Sequence, residues 1–210
     1  MLNRRALLLL CALLPAICGG GALPTQAQTT PMSTEAAAFI DTVGRRALAI
    51  VGAKKLSKSE SISRFRALLL DSVDLPFIAH FTLGRYWKIA TPKEQQEFQV
   101  LLESMVVGMY ADNFRSYSGE TFQLKSHRQE TDRDAVIVTD IMRPNGPPMT
   151  LEWRVRKSGA GYKIIDVIVE RVSMALSQRD EYNAFIQSNG EKIEPLLKSL
   201  REKAANLIKE

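Results

Sequence analysis

The chain has very few cysteines and histidines, and this scarcity excludes several kinds of chemistry. Its 210 residues include only two cysteines, Cys11 and Cys18, and both lie close to the N-terminus. The two histidines, His80 and His127, are far apart in the sequence. The sequence therefore offers no ligand set for a zinc ion, and the residues after Cys18 can form neither a disulfide nor a catalytic thiol.

The motifs of common enzyme and nucleotide-binding sites are also missing. The chain contains no HExxH, GxSxG, P-loop or GxGxxG pattern. It also lacks the runs of Lys and Arg, interleaved with aromatic residues, that are typical of nucleic-acid-binding proteins. We therefore predict no metal site, no cofactor and no nucleic-acid partner, and we assign no catalytic residue.

The N-terminal segment has the features of an export signal. Two arginines precede an apolar run over 6–17, which is too short for a membrane span, and a small, polar segment follows it. Ala27 is the preferred cleavage position, and Ala22 is an alternative. We predict a signal peptide over 1–27 and a single exported domain over 28–210. Because the signal contains two of the 28 basic residues and none of the 23 acidic ones, the exported domain has a net charge of +3.

The first half of the chain has the periodicity of helices. Ser57 with Glu60, and Thr91 with Glu94, have the spacing of a capping box and predict two helix starts. From Thr91, apolar residues at spacings of three and four continue to about Tyr117, which predicts a long central helix packed on more than one side. Further helices are predicted over 34–51, from Asp74 to Gly84, from Ser177 to Asn189 and from 191 to the end.

After Gly119 the apolar residues alternate with a period of two, which is typical of strands. Four strands are predicted, over 121–130, 135–142, 149–155 and 162–174. The turns between the later strands are short and rich in glycine, so neighbouring strands are expected to be antiparallel. Helices followed by a sheet and then by more helices indicate an α+β fold.

The last predicted strand, YKIIDVIVERVSM at 162–174, is apolar on both faces. Strict alternation divides its apolar residues into two sets, Tyr162, Ile164 and Ile168 on one face and Ile165, Val167 and Val169 on the other. In a chain of this size, each apolar face needs a cover, either more protein or a bound ligand. The pattern predicts a central position in the sheet or a wall shared between core and pocket.

Asp140 and Asp166 interrupt apolar strand residues, and two interpretations are open. A carboxyl group in apolar surroundings has a raised pKa and can act as a general base. This interpretation gives an alternative function, a small periplasmic hydrolase or isomerase that uses Asp140 or Asp166 in an apolar pocket. The simpler interpretation pairs both acids with neighbours such as Arg143 or Arg171 at the rim of the sheet.

A resemblance to a known family rests on three segments of the chain. They are LGRYWKIATPKEQQEF at 83–98, the PNG turn at 144–146 and YKIIDVIVERVSMALSQRDEYNAFIQSNG at 162–190. In order and spacing they resemble the periplasmic lipid carriers of the Mla phospholipid-transport pathway, also called the MlaC or toluene-tolerance auxiliary family. Within that family, the hopanoid-biosynthesis-associated members are a candidate subgroup.

The resemblance implies a curved four-stranded antiparallel sheet with surrounding helices that enclose an apolar cavity for lipid acyl chains. It implies a single lipid-binding domain that shuttles a phospholipid or a hopanoid between the inner and outer membranes of the cell. Such a carrier is the soluble component of an ABC-type transport system. The implied partners are an inner-membrane ABC-type lipid transport complex and an outer-membrane lipoprotein.

The predicted lipid-binding residues come from two sources. The segments that carry the resemblance place five residues at or near the cavity, namely Tyr86, Trp87, Val169, Val172 and Met174. The apolar patterns of the central helix and the third strand add Leu102, Val106, Tyr110 and Trp153. For Tyr86 and Trp87, composition alone also allows a second interpretation, as core anchors at the junction of two elements.

Overall fold

The helices and the sheet come from separate parts of the chain, which confirms the predicted α+β fold. The computed structural model describes residues 31–53, 55–113 and 117–209, so the predicted signal peptide lies outside the described residues. The helices are α1 Met32–Val51, α2 Lys58–Ser72, α3 Leu75–Leu83, α4 Pro92–Asn113, α5 Met174–Ser188 and α6 Glu194–Lys209, with a 3-10 helix Gly84–Lys88 after α3. The strands are β1 Thr121–Gln129, β2 Asp134–Met142, β3 Met149–Ser158, β4 Gly161–Val169 and β5 Val172–Ser173.

Two helices begin at the predicted capping boxes. At the start of α2, the Ser57 hydroxyl accepts a hydrogen bond from the Glu60 amide, and the Glu60 carboxylate accepts one from the Ser57 amide at 3.0 Å. The same reciprocal pair joins Thr91 and Glu94 at the start of α4. Each box satisfies backbone donors that have no partner inside the helix, which is why the sequence signal is reliable here.

Several helix boundaries differ from the prediction by two to four residues, among them the end of α4 and the start of α5. Tyr117 lies outside α4, and residues 114–116 between them are not among the described residues. The helix predicted to begin near Ser177 begins earlier, because the Ser173 hydroxyl accepts a hydrogen bond from the Leu176 amide at 3.1 Å and is the cap of α5. The Ser177 hydroxyl instead donates to the Ser173 carbonyl from within the helix.

The sheet is an antiparallel meander of five strands in the order β1-β2-β3-β4-β5, so the predicted number of four is wrong. The difference arises at Glu170 and Arg171, whose φ angles of 48° and 69° reverse the chain in a tight turn. After the turn, β5 pairs with β4 and places Val172 opposite Val169. The single strand predicted over 162–174 is therefore two strands.

A β-bulge in β4 changes which of its residues share a face. Ile164 and Asp166 lie opposite adjacent residues of β3, so Ile165 is an extra residue without a partner on that strand. Beyond the bulge the alternation shifts by one residue, which brings Val167 and Val169 to the same face as Ile164. The predicted division into two sets, which separates Ile164 from Val167, is wrong for this reason.

One face of the sheet, called the inner face below, packs against α1 and α2. Its buried apolar residues include Ala135 and Ile137 of β2, Val155 of β3 and Ile164 of β4. Helix α1 packs against these strands with Ala36, Ala37, Ile40 and Val43. Burial of apolar surface contributes about 25 cal/mol per Å², so this contact fixes α1 across β1 and β2.

A second core lies among the helices α3, α4, α5 and α6 and includes Phe98 and Tyr182, whose rings meet edge to face at 5.6 Å. A third, smaller cluster joins α2 and the start of α3 to the C-terminal half of α4 through Phe65, Leu69, Leu75 and Val107. Helix α4 therefore packs on two sides, as predicted, but only along part of its length. Val107 is buried, whereas Val100 on the N-terminal half is 56% exposed.

The opposite, outer face of β1, β2 and β3 carries cross-strand ion pairs. The pairs are Lys125–Asp140, Arg128–Glu152, Arg154–Glu130 and Arg156–Asp134. Arg156 donates two hydrogen bonds to Asp134, at 2.8 and 2.9 Å, and its guanidinium group lies 4.6 Å from the centre of the Phe77 ring. This two-bond geometry makes the Arg156–Asp134 pair the strongest candidate for a net contribution to stability.

We expect Asp134→Asn to destabilise the protein in a pH-dependent way. The hydrogen bonds from Arg156 hold the pKa of Asp134 below its ordinary value, so the ionised carboxylate stabilises the fold at pH 7 and loses that contribution as the pH falls through about 4 and below. The free energy of unfolding in urea should drop by about 1–2 kcal/mol at pH 7. The difference from the unchanged protein should disappear near pH ~2.

The control for this experiment is Asp41→Asn. Asp41 pairs with Arg45 one helical turn away, on the exposed surface of α1. Exposed pairs of this kind contribute about 0.3–0.5 kcal/mol, so the control should change stability little at either pH. Equal losses for Asp134→Asn at both pH values would contradict the assignment.

Candidate functional site

Half-buried apolar side chains on the inner face of the sheet and on the helices α1, α2 and α4 indicate an apolar cleft between these elements. Trp153 and Val167 lie opposite each other near the middle of the inner face, where a filled core would bury them fully, yet both are only half-buried. Ile50 of α1 and Val73 at the end of α2 contact both the sheet core and the third cluster, and both are half-buried as well. Val106 of α4 adds a half-buried side chain from the helix side. Solvent therefore reaches the apolar space between sheet and helices.

A hydrogen bond on the sheet fixes the orientation of Trp153 in this cleft. Its indole nitrogen donates to the hydroxyl of Thr139 on the neighbouring strand at 2.8 Å, and Thr139 is fully buried. A buried indole N–H needs such a partner, and the threonine supplies it without a charge. The polar atom of Trp153 is thus satisfied within the sheet, and its apolar surface remains available to the cleft.

The apolar residues of the inner face reach the surface at the end of the sheet where β4 and β5 meet. Val169 follows Val167 along β4 and is also half-buried. Val172, opposite Val169 on β5, is 51% exposed, and Met174 just beyond it is 40% exposed. Directly paired residues lie on the same face of a sheet, so the half-buried Val169 and the exposed Val172 share the inner face.

The structure divides the nine predicted lipid-binding residues into groups. Trp153, Val106 and Val169 lie at the cleft. Tyr86, Trp87 and Leu102 lie in or against the second core. Val172 and Met174 lie on the exposed surface next to Val169. The side chain of Tyr110 lies outside the described residues. Contact of these nine residues with a lipid stays a prediction.

The aromatic pair of the 3-10 helix fits the interpretation as core anchors. Tyr86 is 2% exposed, and its hydroxyl accepts a hydrogen bond from the Arg85 guanidinium at 2.7 Å. Trp87 packs edge to face against His80 at 5.3 Å, and its carbonyl accepts a hydrogen bond from the Gln95 side chain at 2.9 Å. These contacts hold the 3-10 helix between α3 and α4.

The sequence patterns did not single out three of the cleft residues. Val167 carries a usable signal, because its spacing of two from Val169 places both on one strand face. Ile50 and Val73 lie at the ends of helices α1 and α2, and their periodicity matches that of any core residue. Only the contact of both residues with two separate clusters identifies them.

Asp166, one of the two acids considered as a general base, holds the start of α5. It is 6% exposed, and its carboxylate accepts hydrogen bonds from the Ser173 hydroxyl at 2.6 Å and from the Ala175 amide at 3.0 Å. The predicted partners Arg143 and Arg171 do not take part in these bonds. The carboxylate is therefore used to anchor a helix N-terminus.

Asp140 also has structural partners. It accepts a hydrogen bond from the Thr150 hydroxyl at 2.9 Å and lies 3.1 Å from the ammonium group of Lys125. The hydrogen bond from Thr150, together with Lys125, holds the pKa of Asp140 below its ordinary value. A general base at neutral pH needs a raised pKa, so the hydrolase or isomerase alternative loses its physical basis at this residue.

Two further properties of the described residues bear on the site. Among the described residues no helix is both long and apolar enough to span a membrane, and no three potential metal-ligating side chains come together.

A separate, polar cleft of about 330 Å³ lies at the β4–β5 turn. Its lining residues are Thr150, Glu152, Ile168, Glu170 and Arg171.

Comparison with known proteins gives matches over most of the chain. The model of the family described as MlaC protein matches residues 41–202. The chain is 24% identical over 144 residues to the intermembrane phospholipid transport system binding protein MlaC of Haemophilus influenzae, which covers 67% of this chain and 66% of that protein. It is 21% identical over 106 residues to a toluene tolerance protein of Pseudomonas putida, and this match covers 50% of this chain and 49% of that protein. The chain thus spans just under two thirds of the first relative and about half of the second.

A solved structure shares the fold. It is the phospholipid-binding protein from Ralstonia solanacearum, determined in complex with a phospholipid. The TM-score is 0.73 at 26% sequence identity, and the match covers 83% of this chain and 99% of that one. The arrangement of helices and meander described above is therefore shared with a protein whose structure contains a bound phospholipid.

Proposed function

Because the chain belongs to the MlaC family, we propose that it is a periplasmic lipid carrier. It shuttles a phospholipid between the inner and outer membranes as the soluble component of an ABC-type transport system. The name of the Haemophilus influenzae relative and the phospholipid in the Ralstonia solanacearum structure support a phospholipid, rather than a hopanoid, as the ligand. The function requires a shaped apolar surface and no bond chemistry.

The observation that carries this proposal is the apolar cleft between the inner sheet face and the helices. Each methylene group removed from water contributes about 0.8 kcal/mol, so an acyl chain crosses an aqueous compartment only inside such a shield. The half-buried side chains of Trp153, Val167 and Val106 are themselves apolar surface that water reaches. An acyl chain bound in the cleft removes its own apolar surface and the surface of these side chains from water.

The remaining parts of the proposal concern location and partners. The export signal predicted over 1–27 delivers the carrier to the periplasm. An inner-membrane ABC-type lipid transport complex and an outer-membrane lipoprotein exchange lipid with it there. The name of the Haemophilus influenzae relative, which includes the words transport system, supports the existence of such partners.

Native mass spectrometry of protein purified from the periplasm tests the proposal. We expect a mass increase that corresponds to one or more bound phospholipids, identified after organic extraction. The same spectrum reports the N-terminus of the exported chain and so tests cleavage after Ala27. Protein that carries no lipid and also takes up none from phospholipid vesicles would contradict the carrier function.

A further inference from the structure

Helix α3 presents aromatic side chains on the face that points away from the protein interior. Ala79 and Leu83 lie on its inner side and are fully buried in the second core. Phe77 and Phe81 lie one turn apart on the opposite side and are half-buried, and His80 on the same side is exposed. A surface helix normally presents polar residues to water, so this aromatic face indicates a contact outside the chain.

Two arginines from neighbouring elements enclose the phenylalanine rings. The rings of Phe77 and Phe81 are 6.2 Å apart and nearly parallel, with 17° between their planes. The guanidinium group of Arg156 on β3 lies 4.6 Å from the centre of the Phe77 ring, and that of Arg179 on α5 lies 5.1 Å from the centre of the Phe81 ring. The four side chains form a continuous row, called the α3 row below, in which cation–π contacts hold both arginines in place.

The two arginines of the α3 row differ in their partners. Arg156 donates two hydrogen bonds to Asp134. The guanidinium group of Arg179 forms no hydrogen bond and no ion pair in the part of the chain that the structure describes, and it lies against the ring of Phe81. Gly84 leaves room for it, since a Cβ atom at that position would lie 3.2 Å from the Arg179 Nε atom. Arg179 is therefore held in position with its N–H donors free for an acceptor outside the chain.

Further cations lie on the element next to Arg179. The 3-10 helix contacts α5 and carries the exposed side chains of Arg85 and Lys88. Arg85 lies 3.9 Å from Glu191, at the outer limit of an ion pair, and Lys88 has no ion pair among the described residues. Leu176, one turn before Arg179 on α5, is 48% exposed and adds apolar surface. Arginine and aromatic residues are enriched in protein interfaces, and a positive patch is complementary to an acidic one.

We propose that the α3 row docks an acidic segment of a membrane-protein partner. A carboxylate of the partner accepts hydrogen bonds from Arg179, and an apolar side chain beside it packs against Leu176 and Phe81. A second copy of this chain would bring like charges together, and rings enclosed between guanidinium groups are not available for insertion into a bilayer. The inference rests on the proposed carrier function and adds to it the chemistry of the partner surface and the place where it binds.

The test measures binding of the purified protein to membrane vesicles by sedimentation. Native inner- and outer-membrane vesicles from the same cells are compared with protein-free vesicles made from their extracted lipids. We expect the unchanged protein to bind at least one kind of native vesicle, to lose this binding after the vesicles are treated with trypsin, and not to bind protein-free vesicles. Arg179→Glu should weaken binding to native vesicles at least about tenfold, because it places like charges in contact. Arg179→Lys, which keeps the charge but not the planar group, should weaken it about threefold.

Two control variants change the charge at another position or in the opposite sense. Arg64→Glu makes the same change of charge at an exposed position on α2 and should leave binding unchanged. Asp180→Asn removes an exposed acid next to Arg179 in the chain and should strengthen binding about twofold, as an acidic partner requires. The lipid bound per protein and the melting temperature should stay the same in every variant, since none of these side chains lies at the cleft.

Several results would overturn the inference. Equal weakening by Arg179→Glu and Arg64→Glu would show an effect of net charge alone. Equal binding to native and protein-free vesicles would assign the α3 row to lipid instead of protein. Binding that Arg179→Glu does not change, or no binding of the unchanged protein to any vesicle, would leave the α3 row without a partner. The carrier function is measured separately, by the phospholipid found in the protein, and none of these results alters it.

Discussion

Replacement of Asp166 by alanine is expected to lower the free energy of unfolding by about 3 kcal/mol. The carboxylate is buried and accepts hydrogen bonds from the Ser173 hydroxyl and the Ala175 amide. Alanine leaves both donors without a partner at the start of α5, and each unsatisfied buried donor costs about 1–3 kcal/mol. Urea unfolding at pH 7 measures the change.

Two further variants serve as comparisons for Asp166→Ala. Asp166→Asn keeps an acceptor oxygen and the shape of the side chain, so its loss should be about 1 kcal/mol. Asp180→Ala removes an exposed acid from the same helix and should change stability by less than about 0.5 kcal/mol. An Asp166→Ala protein of unchanged stability would show that the carboxylate does not anchor α5 and would reopen its role as a general base.

The parts of the fold that the sequence predicts correctly are those determined by neighbours in the chain. The capping boxes at Ser57 and Thr91 involve residues three positions apart, and both appear in the structure as predicted. The Gly159 turn between β3 and β4 is similar, because a positive φ of 57° at that position favours glycine. In each case one short segment contains all the interacting groups.

The errors of the strand prediction lie in the last predicted strand, where no single residue indicates the bulge or the turn. The bulge at Ile165 inserts one apolar residue among others, so alternation on both sides of it looks unbroken. The turn at Glu170 and Arg171 contains neither glycine nor asparagine, which are the usual signals for positive φ. The strand therefore looks apolar on both faces partly because of a register shift, which only its pairing with β3 reveals.

The candidate site is harder to predict than the fold because a cleft and a core have the same composition. Leu102 and Val106 lie one helical turn apart on α4, yet Leu102 is buried in the second core and Val106 is only half-buried beside the cleft. Periodicity selects both residues equally well. The difference between them depends on how far α2, α6 and the sheet lie from α4, which is a property of the tertiary structure.

Val106→Trp is expected to reduce bound phospholipid to less than about a tenth of the amount carried by the unchanged protein. The larger ring extends from α4 into the apolar cleft and occupies the space of two or three methylene groups. At about 0.8 kcal/mol for each methylene, the lost contact weakens lipid binding roughly thirtyfold. Because the cleft is open to solvent at this position, the ring enters it with less strain than in a filled core.

Val100→Trp is the matched control, since it makes the same substitution on the same helix at a position that is 56% exposed. It should leave both the bound lipid and the melting temperature unchanged. Native mass spectrometry of both variants, purified side by side, gives lipid per protein, and thermal unfolding checks that each is folded. If Val106→Trp folds and still carries its full complement of lipid, the space between the sheet, α1, α2 and α4 does not hold the acyl chains. If both variants lose lipid, the loss reflects α4 as a whole and not the cleft.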